Sequence, residues 1–228
     1  MRRRGLLLPP GFRADRKTMA RVRRQVFVEP VSHRNRVWQM DFSEFETLGG
    51  GIWRLCAVVD YASKYCLALT VTPTSRARDA IACVHLAISE ATGLLTLTDL
   101  RADRAMVDLA DEHTGEVIDT VPAPIALVTD NGSAFKSASF AELFTGADPL
   151  LKHVRTRVRS PQTNGVVERF FGTAKYEHLY RAPITDGAGL AYETARFRTI
   201  YNTLRPHQAI GYKTPVLTYL QRTTVQEG

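Results

Sequence analysis

Three carboxylates in this sequence sit where a side chain can do chemistry as well as hold structure: Asp41 in WQMDFSEF, Asp130 in LVTDNGSAF and Glu168 in NGVVERFF. Asp41 falls in a run where Trp38, Met40, Phe42 and Phe45 read as a partly buried strand, and Asp130 follows the short apolar run IALV. Glu168 falls in the first turn of a helix predicted to begin near Asn164 or Gly165. There the helix dipole tolerates a carboxylate, which projects back toward the preceding loop. With the Asp41 strand central and the strand before Asp130 beside it, Glu168 closes a set of hard oxygen donors. Such a set suits Mg²⁺, and few carboxylates hold two such ions when a phosphodiester supplies the remaining oxygens. Read singly, Glu168 is an ordinary residue of a helix start.

The other acids read differently. Asp60 ends the apolar run of IWRLCAVVDY just before a tight turn, which predicts a hairpin cap bonded to backbone N–H groups rather than a metal ligand. Asp99, Asp103, Asp108 and Asp111 lack the oxygen-donor spacing and glycine of a calcium loop. They belong to residues 94–124, which carry seven acids against two arginines and read as a solvated insertion, helical between Leu100 and Asp111. Cys56, Cys66 and Cys83 have no close pairing and no neighbouring histidines, so they read as buried free thiols of a reducing cytosol.

The elements that must carry these residues follow from the pattern. Residues 36–45 form a first strand, Gly49, Gly50 and Gly51 a turn, residues 52–61 a second strand and residues 65–71 a third, all consecutive and antiparallel. Thr74 or Ser75 caps a helix running to about Ala91, with Ala77, Ile81, Val84 and Ile88 as its stripe. IALVT resumes the sheet, Lys136 to Phe144 is a short helix, and Leu151 to Val158 is a strand threaded with Lys and Arg. In the Glu168 helix Val167, Phe170, Phe171 and Ala174 face inward. Gly187 to Gly189 break the chain before a last long helix, Leu190 to Leu204.

At 228 residues the chain holds one good core with appendages. Its formal charge of +7 is concentrated: residues 1–35 hold 10 Lys or Arg against 2 acids, net +8, which leaves net −1 for the rest. A nucleic-acid partner and a merely solubilising arm both fit that excess. No stretch approaches a membrane span, and the apolar run after the first arginines is too short for a secretory signal. The expected organisation is a basic arm over 1–35 with one helix from Lys17 to Val28, a core over 36–218 bearing the acidic insertion 94–124, and a tail over 219–228.

The landmarks VWQMDFSEF, AVVDYASKY, LVTDNGSAFKS, SPQTNGVVERFFGTAKYEHL and YNTLRPHQAIGYKTP occur in order over about residues 36–218. In these the sequence resembles the retroviral-integrase-like catalytic core of bacterial insertion-sequence transposases, one group of the Asp-Asp-Glu recombinases. The resemblance implies an α/β, RNase H-like fold: a mixed five-stranded sheet, three antiparallel strands then two parallel, with helices on both faces. It implies a metal-binding catalytic triad of Asp41, Asp130 and Glu168 that holds two Mg²⁺ ions, with Mn²⁺ as the alternative metal. Asn131, Gln162, Asn164 and Lys175 would lie near DNA, as would Arg157 and Arg159 of the basic strand. By chemistry alone Gln162 and Asn164 serve equally as helix caps, and His207 either contacts DNA or locks its loop.

The implied activity is metal-dependent cleavage at a DNA 3′ end followed by strand transfer, on element ends and target DNA. The implied setting is a homo-oligomer in the bacterial cytoplasm, associated with the nucleoid when bound to DNA, with no membrane partner. Three differences bear on the transfer, one being that the acidic segment 94–124 is longer than the connection the family pattern leads one to expect. The family carries a helix-turn-helix region before the core, and the 35 residues here hold one predicted helix, so recognition of terminal repeats is not expected from them. Between Asp130 and Glu168 stand 37 residues, against about 35 in the family pattern. The alternatives are a structure-selective nuclease of the same fold and a non-catalytic DNA-binding or regulatory fragment of a transposase.

Overall fold

The computed structural model describes residues 31, 33–104, 106–110, 117–145, 148–156 and 165–221, with the backbone alone over 106–110 and 117–121. A compact unit begins at His33. The predicted helix from Lys17 to Val28 lies outside the described residues, as do Arg157, Arg159, Gln162 and Asn164.

Strands β1 (Val37–Glu46), β2 (Ile52–Asp60) and β3 (Cys66–Thr72) form the antiparallel meander that the apolar alternation and the glycine turn predict. Helix α1 (Ala77–Leu94) then crosses the sheet, followed by the short α2 (Leu97–Ala102). Strands β4 (Met106–Ala110) and β5 (Val117–Pro122) pair with each other as an antiparallel hairpin, separate from the main sheet among the described residues. Strand β6 (Ile125–Thr129) returns parallel to β1, and β7 (Leu151–Arg155) lies parallel to β6 beyond the short α3 (Ala138–Ala141). Helices α4 (Gly165–Thr173), α5 (Gly187–Thr203) and α6 (Pro215–Leu220) complete the chain. The sheet order is β3-β2-β1-β6-β7, so β1 is central and the arrangement is RNase H-like.

Alternation along the strands divides the core into two layers. Trp38, Met40, Cys56 and Val58 face α1 in one cluster, while Leu55, Ala57 and Val59 meet Val167, Phe170, Leu190 and Phe197 of α4 and α5 in the other. Val167, Phe170, Phe171 and Ala174 are all buried, as the helical period predicts. The three cysteines are buried and free.

The two rims of the unit close on one another. Asn35 bonds to Trp38 Nε1 at 3.1 Å and to the Tyr219 hydroxyl at 2.9 Å through its own Oδ1, while Tyr219 stacks on Tyr65 at 4.8 Å and is fully buried. Arg34 donates to the Tyr219 carbonyl and pairs with Asp103 at 2.7 Å.

Several local expectations change. The cap of α1 is neither Thr74 nor Ser75: Arg76 is the N-cap, and the Asp79 carboxylate reaches back to accept its N–H at 2.9 Å and the Thr74 hydroxyl. The buried face of α1 is Ala80, Cys83, Val84, Ala87 and Ala91, with Ile81 and Ile88 only partly buried at its border. Small side chains let the helix lie close to the sheet, whereas the larger isoleucines fit only at the edge of the contact.

The helix expected as far as Asp111 stops at Ala102 and gives way to the β4–β5 hairpin. Between Lys136 and Phe144, Ser137 sits in extended conformation and splits the predicted helix into a 3₁₀ turn, α3 and a second 3₁₀ turn. Gly187 to Gly189 start α5 instead of preceding it, because Asp186 caps the helix through Gly189 N–H at 2.7 Å. A Cβ at Gly187 would stand 2.2 Å from the Trp53 ring, so this glycine serves close packing rather than a break.

Candidate active site

Asp41 occupies the middle of the central strand, opposite Ala57 of β2. The parallel register of β1 and β6 pairs Val37 with Ala126 and Gln39 with Val128, an offset of 89. Carried two residues further, that offset sets Asp130, just past the end of β6, level with Asp41. Asp130 is held in a turn of its own making: its Oδ1 accepts Gly132 N–H at 2.8 Å. A Cβ on Gly132 would lie 3.0 Å from that same oxygen, so a larger residue presses on the carboxylate.

The third carboxylate is placed by a residue the sequence reading passed over. Gln39, 1 % exposed and two positions before Asp41 on the same strand face, accepts the N–H groups of Val166 and Val167 through Oε1 at 3.0 and 3.1 Å. One side-chain oxygen thereby satisfies two open donors of the α4 start and docks it on β1. Glu168 follows in the first turn, exposed. The available signal was an amide buried between Trp38 and Met40, since a polar side chain in such a run needs a built partner.

The electrostatics tie the three together. The carboxyl of Asp41 is pushed up to about 7, first by burial, with the charges of Asp130 and Glu168 adding and the Phe42 N–H, 2.8 Å away, opposing. Among the described residues none of the three is paired with a Lys or Arg. Nor, among those residues, does any group of three Asp, Glu, His or Cys side chains stand close enough to enclose one metal ion. The donor chemistry nevertheless fits a hard divalent cation: oxygen ligands without cationic partners, whose repulsion a bound ion relieves.

The neighbouring residues have defined places. Asn131 donates from Nδ2 to the Thr156 carbonyl at 2.6 Å, which ties the Asp130 loop to the end of β7. Thr129 Oγ1 shares a hydrogen bond of 2.9 Å with His153 Nε2 just below. Lys175 lies half-buried in a π-helical turn, Ala174–His178, that continues α4; burial holds its pKa below the ordinary value, with Glu44 opposing. π turns are frequent at functional sites because they re-aim side chains along a helix.

Asp60 is fully buried and bonded at 2.8 Å to the N–H groups of Asn35 and Ser63 and at 2.6 Å to the Ser63 hydroxyl, the hairpin cap that its position predicts. His207 packs edge-on against Tyr201 at 4.5 Å, and its N–H and C=O bond Lys213 and Tyr212 across the terminal loop.

Two family models, each described as an integrase core domain, match residues 31–161 and 151–215. Over 100 residues, 42 % of this chain, the sequence is 35 % identical to a putative transposase InsD for insertion element IS2E of Escherichia coli strain K12, covering 44 % of that protein. The same identity and span recur with the Escherichia coli transposase InsD for insertion element IS2A/D/F/H/I/K, covering 32 % of it, so the chain matches less than half the length of these relatives. Among solved structures, a chain of a simian T-cell lymphotropic virus intasome complex aligns with TM-score 0.59 and 20 % identity over 86 % of this chain and 58 % of that one. The HTLV-2 integrase catalytic core domain in complex with magnesium aligns with TM-score 0.54 and 21 % identity over 82 % of this chain and 97 % of that one. These structural likenesses establish the fold.

Proposed function

Because the chain belongs to the integrase core domain family, we propose that it is the catalytic core of a transposase that cuts and joins DNA strands. The observation that carries this reading is the set of carboxylates on β1, past β6 and on α4, without a cationic partner among the described residues and close enough for two of them to raise the pKa of the third. Asp41, Asp130 and Glu168 would hold the divalent ions, Mg²⁺ or Mn²⁺. When bound, such ions supply activation of the attacking hydroxyl and stabilisation of the leaving oxygen in an in-line displacement at phosphorus.

The protein's own part is placement. β1 and β6 set two carboxylates level, and Gln39 fixes the helix that brings the third. Binding an ion requires Asp41 in its ionised form, which the cation itself favours. The carboxylate of Glu168 is exposed and would have to turn inward to complete the ligand set. Asn131, Lys175 and the basic segment with Arg157, Arg159, Gln162 and Asn164 would locate the phosphate backbone, which positions DNA without reading its bases. Two or more copies would act together on two DNA ends.

The test is strand transfer by the purified chain in Mg²⁺, from a pre-cleaved element end into a plasmid, beside Asp41→Asn and Glu168→Gln. Joined product that disappears in both variants is the expected result. Joining that persists in Asp41→Asn would reject the assignment, and DNA binding without any joining would favour a non-catalytic fragment.

A further inference from the structure

A second concave site lies away from the three carboxylates. It has a volume of about 710 Å³ and is bounded by the β2–β3 turn, one face of α4 and the loop between α5 and α6. Lys64, Arg169, Arg205 and His207 line it, and among the described residues no Asp or Glu does. Two acids that act on its cations are already engaged: Asp60 is triply bonded, and Glu177 takes Arg205 in a two-pronged pair at 2.8 and 2.9 Å. Lys64 holds its ammonium 4.5 Å over the Tyr61 ring and donates to the Tyr61 carbonyl. Among the described residues neither Lys64 nor Arg169 has a carboxylate partner.

The positive charges act on one another. Burial lowers the pKa of Lys64, with the charge of Asp60 opposing and that of Arg169 adding; burial likewise lowers that of His207, with Arg205 and Lys64 adding and a hydrogen bond with the Tyr201 backbone and the charge of Glu177 opposing. An anion entering here would relieve that repulsion. The remaining walls are aromatic: Phe170 and Tyr201 form a buried floor, and Tyr61 and Tyr212 stand at the sides, Tyr212 being 69 % exposed. His207 Nε2 is buried without a hydrogen-bond partner among the described residues, an unsatisfied group in the same wall.

Inorganic phosphate would use the cations but leave the rings and most of the volume unused. A phosphate joined to a planar base uses all three features, since bases stack on aromatic faces whatever their sequence and a cavity of this size suits one nucleotide. We infer that this cavity receives a single unstacked nucleotide, its phosphate against Lys64 and Arg169 and its base against Tyr61, Tyr212 and His207. The inference rests on the proposed DNA-joining activity only for the source of that nucleotide. An unpaired position of a DNA strand and a free mononucleotide offer the same chemistry.

The experiment uses the whole chain and 2-aminopurine, whose fluorescence falls on stacking. It compares a blunt duplex, the same duplex with one unpaired 5′-phosphorylated 2-aminopurine nucleotide, and free 2-aminopurine deoxyribonucleoside monophosphate. The unpaired end should bind at least about fivefold tighter than the blunt one, with quenching. Arg169→Ala and Tyr212→Ala, both at exposed positions, should each reduce that preference and together abolish it, at unchanged melting temperature. Asp41→Asn should keep it.

Binding of the free nucleotide in competition with the unpaired end assigns both sources to the pocket, and an inert free nucleotide assigns the strand; either supports the inference. Equal affinity for the two duplexes without quenching, or a preference that survives in the double variant, would overturn it. Failure of strand joining with this preference intact would sink the proposed activity alone, and joining without the preference would sink the pocket alone.

Discussion

Asp60 and Asp41 are both aspartates of the central meander, and burial raises the pKa of each, yet their surroundings separate them. The Asp60 corner is finished: three donors converge on one carboxylate that also locks the start of the packed unit to the β2–β3 turn. The Asp41 centre is open: one backbone N–H, two neighbouring negative charges and no cationic side chain among the described residues. The difference teaches that burial of a carboxylate does not mark function. What marks it is burial left uncompensated, which a fold tolerates at a site completed by something else.

The sharpest way to break this contrast is to neutralise Asp41. In the strand-transfer assay Asp41→Asn should lower joining on the order of a thousandfold or more, with circular dichroism unchanged. The mirror experiment, Asp60→Ala, should act on stability: it orphans the Asn35 and Ser63 donors and should cost about 3 kcal/mol in urea unfolding. Activity of Asp60→Ala, measured where the variant is still folded, should stay within about tenfold of the parent. A folded Asp60→Ala as inactive as Asp41→Asn would erase the distinction.

The third prediction concerns pH. A folded-state pKa near 7 against 3.8 means that the folded chain retains a proton at Asp41 which the unfolded chain has released. The unfolded state therefore binds fewer protons across that window, and this group's contribution to stability falls as pH climbs from about 4 to 7. Asp41→Asn should remove the slope and, above pH 7, be the more stable protein by up to about 4 kcal/mol in metal-free buffer. Equal stability of the two proteins at pH 5 and pH 8 would show that the centre is not strained.

The smallest effect probes how the third carboxylate is held. Gln39→Ala leaves two N–H groups of the α4 start without their acceptor and should cost about 1–2 kcal/mol. Joining should fall with it while DNA affinity changes little, because the helix carrying Glu168 loses its anchor.

The antiparallel meander and its two hairpin turns were readable from apolar alternation and turn residues, whereas the order of all five strands came only with the family resemblance; Asp60 was readable as a cap because a carboxylate before a tight turn has backbone donors at hand. The positions of Asp41, Asp130 and Glu168 at a strand centre, a strand end and a helix start were readable for the same reason. Three features were not. The face of α1 was displaced because periodicity weights isoleucine, whereas close approach to the sheet selects Ala80, Cys83 and Ala87. Gly187 looked like a breaker because the Trp53 ring it accommodates is more than a hundred residues away. Gln39 offered no more than an amide inside an apolar run, because its partners are on a helix start equally distant in sequence.

The junction of Asn35 and Tyr219 also sets an order of events during synthesis. All five strands of the main sheet have been synthesised by Arg155, but the ring that caps Trp38, Tyr65 and Asn35 arrives only with residue 219. A nascent chain paused after Leu204 can pair every strand and still expose that corner to solvent. A polypeptide released before Tyr219 would therefore leave that corner uncovered, an edge that chaperones and proteases can recognise.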